Sequence, residues 1–494
     1  MADRSRRPVS EHSGKVSEPL LVTGCLLGLV AIAFVIRGLL CLLTLDVPGD
    51  GPTRAIMAYE WARAPHLVTW GGWPPGLLYL SGVVSLIAPD PIWSVRAVNL
   101  LLGTATIPVF FWLVRRVFTL ETAWFAAALL VVFPLHVELS ATSLAETSFV
   151  FEILLGLWLL TAVRDPSPGQ LAVGFTALFW ATMTRYEAWW FAPVLVVAVA
   201  TATRRWLPSF GVAVAVVTFP LLWSIGNFLA LGHAFYGFDL TQRGAEIAGT
   251  HPIVFPEAIA MLASIIGREA GWPLTLSMLV GVFLVPIANG AVLRRERGAY
   301  AAITATFWLA MTWYAMRRGH VVFNRYLLLG IVLLLPYAER PWSRLRDRAP
   351  KASVVAMVLL VCSTVMPRLG TWPPSASWLT WSPPSDMQAL TTWVRRSPYR
   401  DATILITEMG WNASYFTLFW PEAAPRRLIV SSWTDDDELR RFLADRRPSL
   451  LVTTQDDGPF RSRIERLAGG PIITPRPLQS FGAIEVHVLQ TTEP

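Results

Sequence analysis

Charged residues are scarce in this sequence, and lysine is almost absent. Only 15% of the 494 residues are charged, whereas 54% are hydrophobic, and Lys15 and Lys351 are the two lysines. The mean hydropathy of +0.48 is far from that of an average soluble protein. The composition therefore excludes an ordinary soluble domain and predicts a chain that lies mostly in lipid. Arginine in place of lysine is typical of a GC-rich genome, so we expect a prokaryotic cell membrane.

Cysteine is also scarce. Cys25, Cys41 and Cys362 all fall inside apolar segments and lack the paired spacing of a disulfide framework or a metal site. We interpret them as core or lipid-facing residues. Three histidines are equally poor candidates for a zinc site, because they lack the short spacing that zinc ligands usually have: His66, His136 and His251.

The charge that remains is mostly arginine, which gives a net charge of +7 and a pI near 9.6. A nucleic-acid-binding surface would need its arginines together on one solvated face. Here they form short clusters between apolar runs, as in the cytoplasmic loops of membrane proteins. The sequence therefore predicts no nucleic-acid partner, and the net charge is a topology signal.

Apolar runs long enough to cross a bilayer recur along the chain. A bilayer core of about 30 Å needs roughly 20 apolar residues in a helix, and polar or proline-rich breaks separate the runs. We predict an α-helical polytopic membrane protein with about eleven transmembrane helices. Their bounds are 20–45, 91–114, 120–139, 146–163, 169–184, 187–203, 208–231, 272–293, 299–316, 324–340 and 352–367.

The arginine clusters determine the predicted topology. The apolar stretch 73–88 is short and opens with two prolines and a glycine, so we assign it as an interfacial helix. All the clusters then lie on the same side as the N-terminal tail, as the positive-inside rule expects. The tail (1–19) is therefore cytoplasmic, and three loops are extracytoplasmic: 46–90, 140–146 and 232–271.

The composition changes again near the C-terminus. Residues 20–368 form the predicted transmembrane domain, and a proline-rich linker follows at 369–385. In 386–494, short β-type runs alternate with helical patterns, which is typical of a small α/β domain. The topology places this domain on the extracytoplasmic side.

Carboxylates stand close to the predicted outer surface. Asp50 follows the first span, and Glu138 and Glu146 flank the second outer loop. One interpretation of Asp50 is a cap for the helix that begins near Pro52. The other is chemical, because acids from two adjacent outer loops can position a nucleophile or hold a divalent cation such as Mg²⁺ or Mn²⁺. Asp50 and Glu146 are the candidates for both roles.

Several short features occur in a fixed order along residues 20–340. In that order they resemble the GT-C superfamily of membrane glycosyltransferases, which use polyprenyl-phosphate sugars. The nearest branch contains the protein O-mannosyltransferases and the aminoarabinose transferase of lipid A. The features are Asp50 with Arg54, Ala58 and Tyr59; Pro74 with Pro75; Arg96; Pro134, Ser140 and Glu146; the stretch TRYEAWW from Thr184; and Arg325 with Tyr326.

The resemblance implies an inverting transfer from a polyprenyl-phosphate sugar to a hydroxyl group of a protein, lipid or glycan. Asp50 would be the general base, and Glu146 would assist it or bind a cation. Two positions depart from the family pattern. Gly51 stands where many relatives have a second acid, and Trp73 replaces a basic residue that some relatives carry before Pro-Pro.

A phosphate leaving group needs charge stabilisation more than it needs a proton. Interfacial anchoring would also explain arginines at this face, but the resemblance makes four of them candidates for the donor phosphate: Arg54, Arg96, Arg185 and Arg325. Three further residues are expected to line the substrate site: Tyr59, Trp73 and Glu138.

Two other classes of protein stay open. A transporter or lipid flippase would place ionisable residues near the middle of the membrane, and Arg37 is the clearest charge inside a predicted span. A non-catalytic assembly protein of the cell envelope would instead display its tail as a binding module. The acids cluster at one face, which favours chemistry at the surface.

Overall fold

Helices make up most of the protein, and a small sheet lies near its C-terminus. The structure is a computed structural model. It describes residues 17–45, 50–162, 166–203, 206–247, 251–284, 291–318, 322–369, 385–407, 413–430, 434, 436–454 and 457–490.

The first part of the chain is a bundle of helices, and each predicted span coincides with helical structure. These helices are α1 (Ser17–Leu43), α2 (Asp50–Arg63), α3 (Gly76–Ile87), α4 (Ser94–Val117), α5 (Leu120–Val132), α6 (Pro134–Leu139), α7 (Glu146–Leu157), α8 (Pro168–Thr184), α9 (Glu187–Thr203), α10 (Trp206–Leu231), α11 (Tyr236–Ile247), α12 (Phe255–Ala270), α13 (Trp272–Leu284), α14 (Ala291–Arg318), α15 (Leu328–Leu334), α16 (Arg340–Arg348) and α17 (Pro350–Leu369).

Three helices of the described residues are long and apolar enough to cross a bilayer by length and composition, namely α1, α4 and α10. Several shorter helices are apolar without reaching that length, and the predicted count of eleven spans stays a prediction. The predicted spans are interrupted where the backbone breaks. Pro134 separates α5 from α6, and α15 lies between two 3₁₀ turns, Asn324–Leu327 and Leu335–Glu339.

The bundle has a large buried core and an apolar outer surface. The core takes side chains from most of its helices, including Phe110, Phe191 and Phe307. On the outside, Leu27 of α1 and Phe228 of α10 are 62% and 60% exposed. An apolar outer surface of this extent is favourable only where lipid covers it.

The C-terminal part contains a five-stranded sheet, as the predicted α/β pattern implies. β1 (Ile404–Thr407) runs parallel to both of its neighbours, β2 (Arg427–Val430) and β3 (Leu450–Thr454), whereas β5 (Ile484–Val488) runs antiparallel to β3 and to β4 (Gln479–Phe481). The strand order is β2-β1-β3-β5-β4. The elements are α18 (Ser385–Arg396), β1 (Ile404–Thr407), α19 (Ala413–Phe419), β2 (Arg427–Val430), α20 (Asp436–Arg446), β3 (Leu450–Thr454), α21 (Gly458–Ala468), β4 (Gln479–Phe481) and β5 (Ile484–Val488).

The C-terminal part packs on α2, the first helix of the outer loop. Ala55 and Ile56 of α2 are buried in the same apolar cluster as Tyr415 and Phe416 of α19. The predicted linker 369–385 and the tail 1–19 lie almost entirely outside the described residues. The side of the membrane on which each part lies stays a prediction.

Candidate active site

Asp50, the predicted general base, forms an ion pair with a residue that lies 275 positions later in the sequence. Asp50 is the first residue of α2, and Arg325 lies in the 3₁₀ turn Asn324–Leu327 before α15. The Nη2 atom of Arg325 donates to Oδ2 of Asp50 at 2.6 Å. The Asp50 side chain is still 26% exposed, whereas that of Arg325 is 9% exposed. The acid is therefore paired but accessible.

Glu146 completes the connection between the two outer loops. Its Oε1 atom lies 2.5 Å from Nη1 of Arg185 and 3.4 Å from Nε of Arg325. The side chain is 3% exposed. Arg325 thus lies between Asp50 and Glu146, and one guanidinium touches both carboxylates.

Arg185 occupies a break between two helices. It follows α8 in an extended conformation, with φ −147° and ψ 145°, and α9 begins two residues later. Its Nε atom donates to both carboxylate oxygens of Glu187 at 3.0 Å, and its Nη2 also pairs with that carboxylate. Glu146 and Glu187 together therefore fix the orientation of this guanidinium.

Two residues of α4 position the loop that leads to Glu146. Arg96 donates to the carbonyl oxygen of Ala141 at 2.6 Å. Asn99, almost one turn later, donates to the carbonyls of Thr142 and Leu144 at 2.7 and 2.6 Å. Because these bonds satisfy the backbone of a buried loop, the start of α7 is held in place.

A second polar contact orients Arg325. The side chain of Asn324 accepts from the backbone N–H of Arg325 at 2.8 Å and donates to Glu269 of α12 at 2.9 Å. The turn is thereby tied to a neighbouring helix, and the guanidinium is directed at the two carboxylates. Asn324 was not a predicted site residue.

These charged groups line a common cavity with a volume of about 110 Å³. Aromatic rings surround them. The guanidinium of Arg54 lies over the ring of Trp73 at 4.5 Å, and that of Arg185 lies over Tyr326 at 5.1 Å. The positive and negative charges of the lining are equal in number. They belong to three guanidinium groups and three carboxylates, those of Arg54, Arg185, Arg325, Asp50, Glu146 and Glu187.

The arginines control the ionisation of Asp50. Burial alone would raise the pKa of this carboxyl, but the charges of Arg325 and Arg54 outweigh burial and hold its pKa below the usual value. For Arg185, burial opposes the charged form, while Glu146 and Glu187 raise its pKa above the usual value. Asp50 is therefore an ionised, cation-paired carboxylate at neutral pH.

Solved structures share this architecture. ArnT from Cupriavidus metallidurans bound to undecaprenyl phosphate matches 96% of this chain and 99% of its own, with a TM-score of 0.65 at 14% identity. The oligosaccharyltransferase of Archaeoglobus fulgidus in its apo form matches 90% of this chain and 72% of its own, with a TM-score of 0.57 at 11% identity. The chain therefore shares the fold of these two proteins.

Sequence comparison agrees over part of the chain. The family described as dolichyl-phosphate-mannose-protein mannosyltransferase matches residues 73–225. No curated protein sequence matches the chain. The shared fold, together with three helices of the described residues that are long and apolar enough to cross a bilayer, supports the predicted multi-pass membrane protein.

Within this fold, most of the predicted site residues meet at the cavity. Those that line it are Asp50, Arg54, Trp73, Glu146, Arg185 and Arg325. Their chemical roles stay predictions. Glu187, Trp190 and Tyr314 also line the cavity and were missed as functional residues, although Glu187 and Trp190 belong to the stretch TRYEAWW.

Three predicted residues do not line the cavity. Arg96 is 1% exposed and donates to the carbonyl of Cys41 at 2.9 Å as well as to Ala141. Tyr59 lies under Arg63 at 5.3 Å, on another part of α2. Glu138 is buried in α6. Arg96 therefore holds backbone carbonyls instead of facing the cavity where a phosphate would bind. Tyr59 and Glu138 are not part of the cavity wall.

The predicted divalent cation does not fit the residues present. Asp50 and Glu146 both contact the Arg325 guanidinium, and Glu146 also contacts Arg185. Among the described residues, no three His, Cys, Asp or Glu side chains form a group that could hold a metal ion. His136, one of the histidines considered for zinc, instead lies 2.8 Å from the Nη2 of Arg37.

Proposed function

We propose that this protein is a membrane glycosyltransferase that transfers a sugar from a polyprenyl phosphate to a hydroxyl group of a protein, lipid or glycan. The observation that carries the proposal is the cavity in which Asp50 and three arginines meet. Polyprenyl phosphates are bound in solved structures that share this fold. ArnT is bound to undecaprenyl phosphate, and the Archaeoglobus fulgidus oligosaccharyltransferase has been solved with an inhibitory peptide and a dolichol phosphate.

The arginines suit a phosphate leaving group. Arg54 and Arg325 lie beside Asp50, and Arg185 reaches the same cavity through Glu146. Guanidinium groups that are already oriented stabilise the charge that develops on the leaving oxygen. Arg325 and Arg54 are the best placed of the three, because Glu146 and Glu187 already hold Arg185.

The reaction is an inverting displacement. The acceptor oxygen attacks the anomeric carbon from the side opposite the phosphate. The bond from that carbon to the phosphate oxygen breaks, and its electron pair stays on the phosphate. Asp50 takes the proton from the acceptor hydroxyl.

The arrival of the donor also activates the base. A phosphate oxygen of the donor competes with Oδ2 of Asp50 for Nη2 of Arg325. The donor can reach this ion pair because the Asp50 side chain is 26% exposed. A carboxylate that loses this partner becomes a stronger base. Donor binding therefore prepares Asp50 for the acceptor, and binding in the order donor then acceptor is expected.

A transporter has less support from the same residues. Arg37, the charge inside α1, donates to the carbonyls of Val131 and Leu130 at 3.1 and 3.2 Å and contacts His136. It is fully buried. A transport path would need such a group to face a cavity, whereas this one ties α1 to α5 and α6.

The proposal is tested by incubating the purified protein with a panel of polyprenyl-phosphate sugars and measuring sugar release. Asp50→Asn should lower the rate about 10²- to 10⁴-fold, because the amide cannot accept the proton. The matched control is Asp90→Asn. Asp90 is an exposed outer-loop acid that caps the backbone of Ile92 and Trp93 and does not line the cavity, so this variant should keep the wild-type rate. Turnover that survives in Asp50→Asn removes the assignment of the base. A wild-type protein that releases sugar from none of the donors would instead favour a non-catalytic envelope protein.

A further inference from the structure

One guanidinium lies where two carboxylates from separate outer loops converge. Arg325 donates through Nη2 to Asp50 at 2.6 Å and lies 3.4 Å from Glu146 through Nε. Asp50 comes from the start of α2 and Glu146 from the start of α7. Two carboxylates that converge in one cavity can hold a divalent cation, because Mg²⁺ is usually bound by one or two carboxylates together with substrate phosphates.

We propose that Arg325 is a built-in cation, which fills the position between Asp50 and Glu146 that Mg²⁺ or Mn²⁺ would otherwise need. The two acids can then hold a divalent ion only when this guanidinium is removed. The prediction about metal binding does not depend on the proposed function, because it concerns only Asp50, Glu146 and the Arg325 guanidinium.

Ligand supply is the first argument. Mg²⁺ needs about six oxygen ligands at about 2.0–2.1 Å, and it usually takes one or two of them from carboxylates. Asp50 and Glu146 could supply those two, but Oδ2 of Asp50 already accepts from Arg325, and Oε1 of Glu146 accepts from Arg185 and forms an ion pair with Arg325. Gly51, the next residue of α2, has no side chain to add a third.

Electrostatic repulsion is the second argument. A divalent ion between these acids would lie against Arg325 itself and close to Arg54 and Arg185, whose charges both act on Asp50. Like charges in a partly buried site repel strongly, because little water screens them. The arginines already neutralise the acids, so a metal would gain little attraction in return.

Neighbouring groups hold Arg325 between the two acids while no donor is bound. Asn324 accepts from its backbone N–H and is itself held by Glu269. The side chain is 9% exposed, and the ring of Tyr326 lies 5.5 Å from the guanidinium carbon. A guanidinium held in this way cannot swing away to admit an ion without breaking its contacts with both acids.

The test is Mn²⁺ binding, followed by the electron paramagnetic resonance signal of the free ion, with the full-length protein in detergent. The wild type should show no stoichiometric site up to millimolar Mn²⁺. Arg325→Gln should acquire one site that is at least tenfold tighter than any wild-type binding, because both carboxylates become free to act as ligands. The new site should disappear in the Arg325→Gln, Asp50→Asn double variant.

Arg54→Gln is the matched control. This change also removes one positive charge from the cavity, but Arg54 does not bridge the two acids, so no Mn²⁺ site should appear. If Arg54→Gln gains the same site, charge alone explains the effect and the bridging role of Arg325 is wrong.

Two further outcomes would overturn the proposal. One is a stoichiometric Mn²⁺ site in the wild type that Asp50→Asn abolishes. The other is a folded Arg325→Gln protein, verified by its thermal unfolding, that binds no Mn²⁺. The rate of sugar release is a second, independent measurement. Adding a chelator should leave the wild-type rate unchanged within about twofold. Failure of all sugar release would count against the proposed function while leaving the binding result interpretable.

Discussion

Arg325 governs the ionisation of Asp50, and this gives the activity a characteristic pH dependence. The proposed base, Asp50, can take a proton only when it is ionised, so activity should fall as the pH drops through its pKa. In the wild type that pKa lies below the usual value, because Arg325 and Arg54 outweigh burial. The acid limb of the profile of kcat/KM for the donor, which reports the free enzyme, should therefore lie at a lower pH than an ordinary aspartate would give.

Arg325→Gln should move the acid limb to higher pH. The variant removes the charge that contributes most to lowering the pKa, and the burial of Asp50, which raises it, remains. Sugar release measured from pH 4 to pH 8 checks this shift, independently of the lower rate that a lost phosphate contact causes. An unchanged acid limb in the variant would show that Arg325 does not control the base.

For Arg96 we predict an effect on stability and little effect on donor binding. It is buried and donates to Ala141, Cys41 and Thr44 at 2.6, 2.9 and 3.1 Å. Arg96→Ala should lose about 3 kcal/mol or more of stability, because buried acceptors lose a charged donor. Thermal unfolding in detergent should show the loss, and the KM for the donor should change less than about twofold in protein that is still folded. A large rise in KM with normal stability would return Arg96 to the phosphate site.

At the residue scale, the sequence located two of the three acids and all three arginines of the cavity. Order along the chain and the predicted outer loops sufficed for Asp50, Glu146 and Arg185. Sequence order could not separate Arg96 from Arg325, because the direction of a side chain depends on which face of its helix or turn meets the cavity. Asn99 was missed because a lone asparagine in an apolar helix carries no motif.

At the scale of elements, glycine on α10 sets the position of the loop that carries Trp73. A Cβ atom on Gly226 would collide with the carbonyl oxygen of Thr69. The next residue, Asn227, accepts from the backbone N–H of Gly71 at 2.8 Å. The loop is thus held against α10 by one close approach and one hydrogen bond.

Gly226→Ala should displace this loop and weaken the cavity wall. Because the collision is with backbone, the chain itself must shift. We expect sugar release to fall at least tenfold, while the protein still folds. Gly28→Ala is the control, since a Cβ there meets nothing within 4 Å, and it should leave the rate unchanged. Equal rates in both variants would show that the loop tolerates the shift.

Helix positions were largely predictable, since apolar length and proline breaks mark them, whereas their interruptions were not. The region 324–340 reads as one span in sequence, but it contains two 3₁₀ turns around α15. Nothing in the hydropathy of that run signals the first turn, because the polar pair Asn324–Arg325 could equally start a regular helix. The turn matters because it carries the guanidinium at the centre of the site.

At the scale of the whole molecule, the C-terminal part supports the helix that begins with Asp50. The apolar cluster that contains Phe416 of α19 also contains Ala55 and Ile56 of α2. A second cluster lies elsewhere in the same C-terminal part and includes Leu439 and Ile464. Only the first connects the sheet to the cavity.

Phe416→Ala and Leu439→Ala should therefore differ in activity although both remove buried side chains. Each should cost about 2–5 kcal/mol of stability, as large-to-small core changes do. Below the unfolding temperature of both, only Phe416→Ala should lower sugar release, because it loosens α2. Thermal unfolding and rate measurements on the same samples check this. Equal loss of rate in the two variants would assign the effect to general instability.

The balanced charge of the cavity has a consequence for the end of the cycle. Three carboxylates and three guanidinium groups cancel before any substrate binds. In the proposed reaction, transfer converts a phosphodiester into a monoester that can carry a second negative charge, and it leaves a proton on the carboxyl that served as base. Departure of the carrier then removes the negative charge that had replaced this carboxylate beside its arginine, and the carboxyl loses its proton as the ion pair forms again. Carrier exit and acid release to the outer medium should accordingly occur together as the step that resets the enzyme.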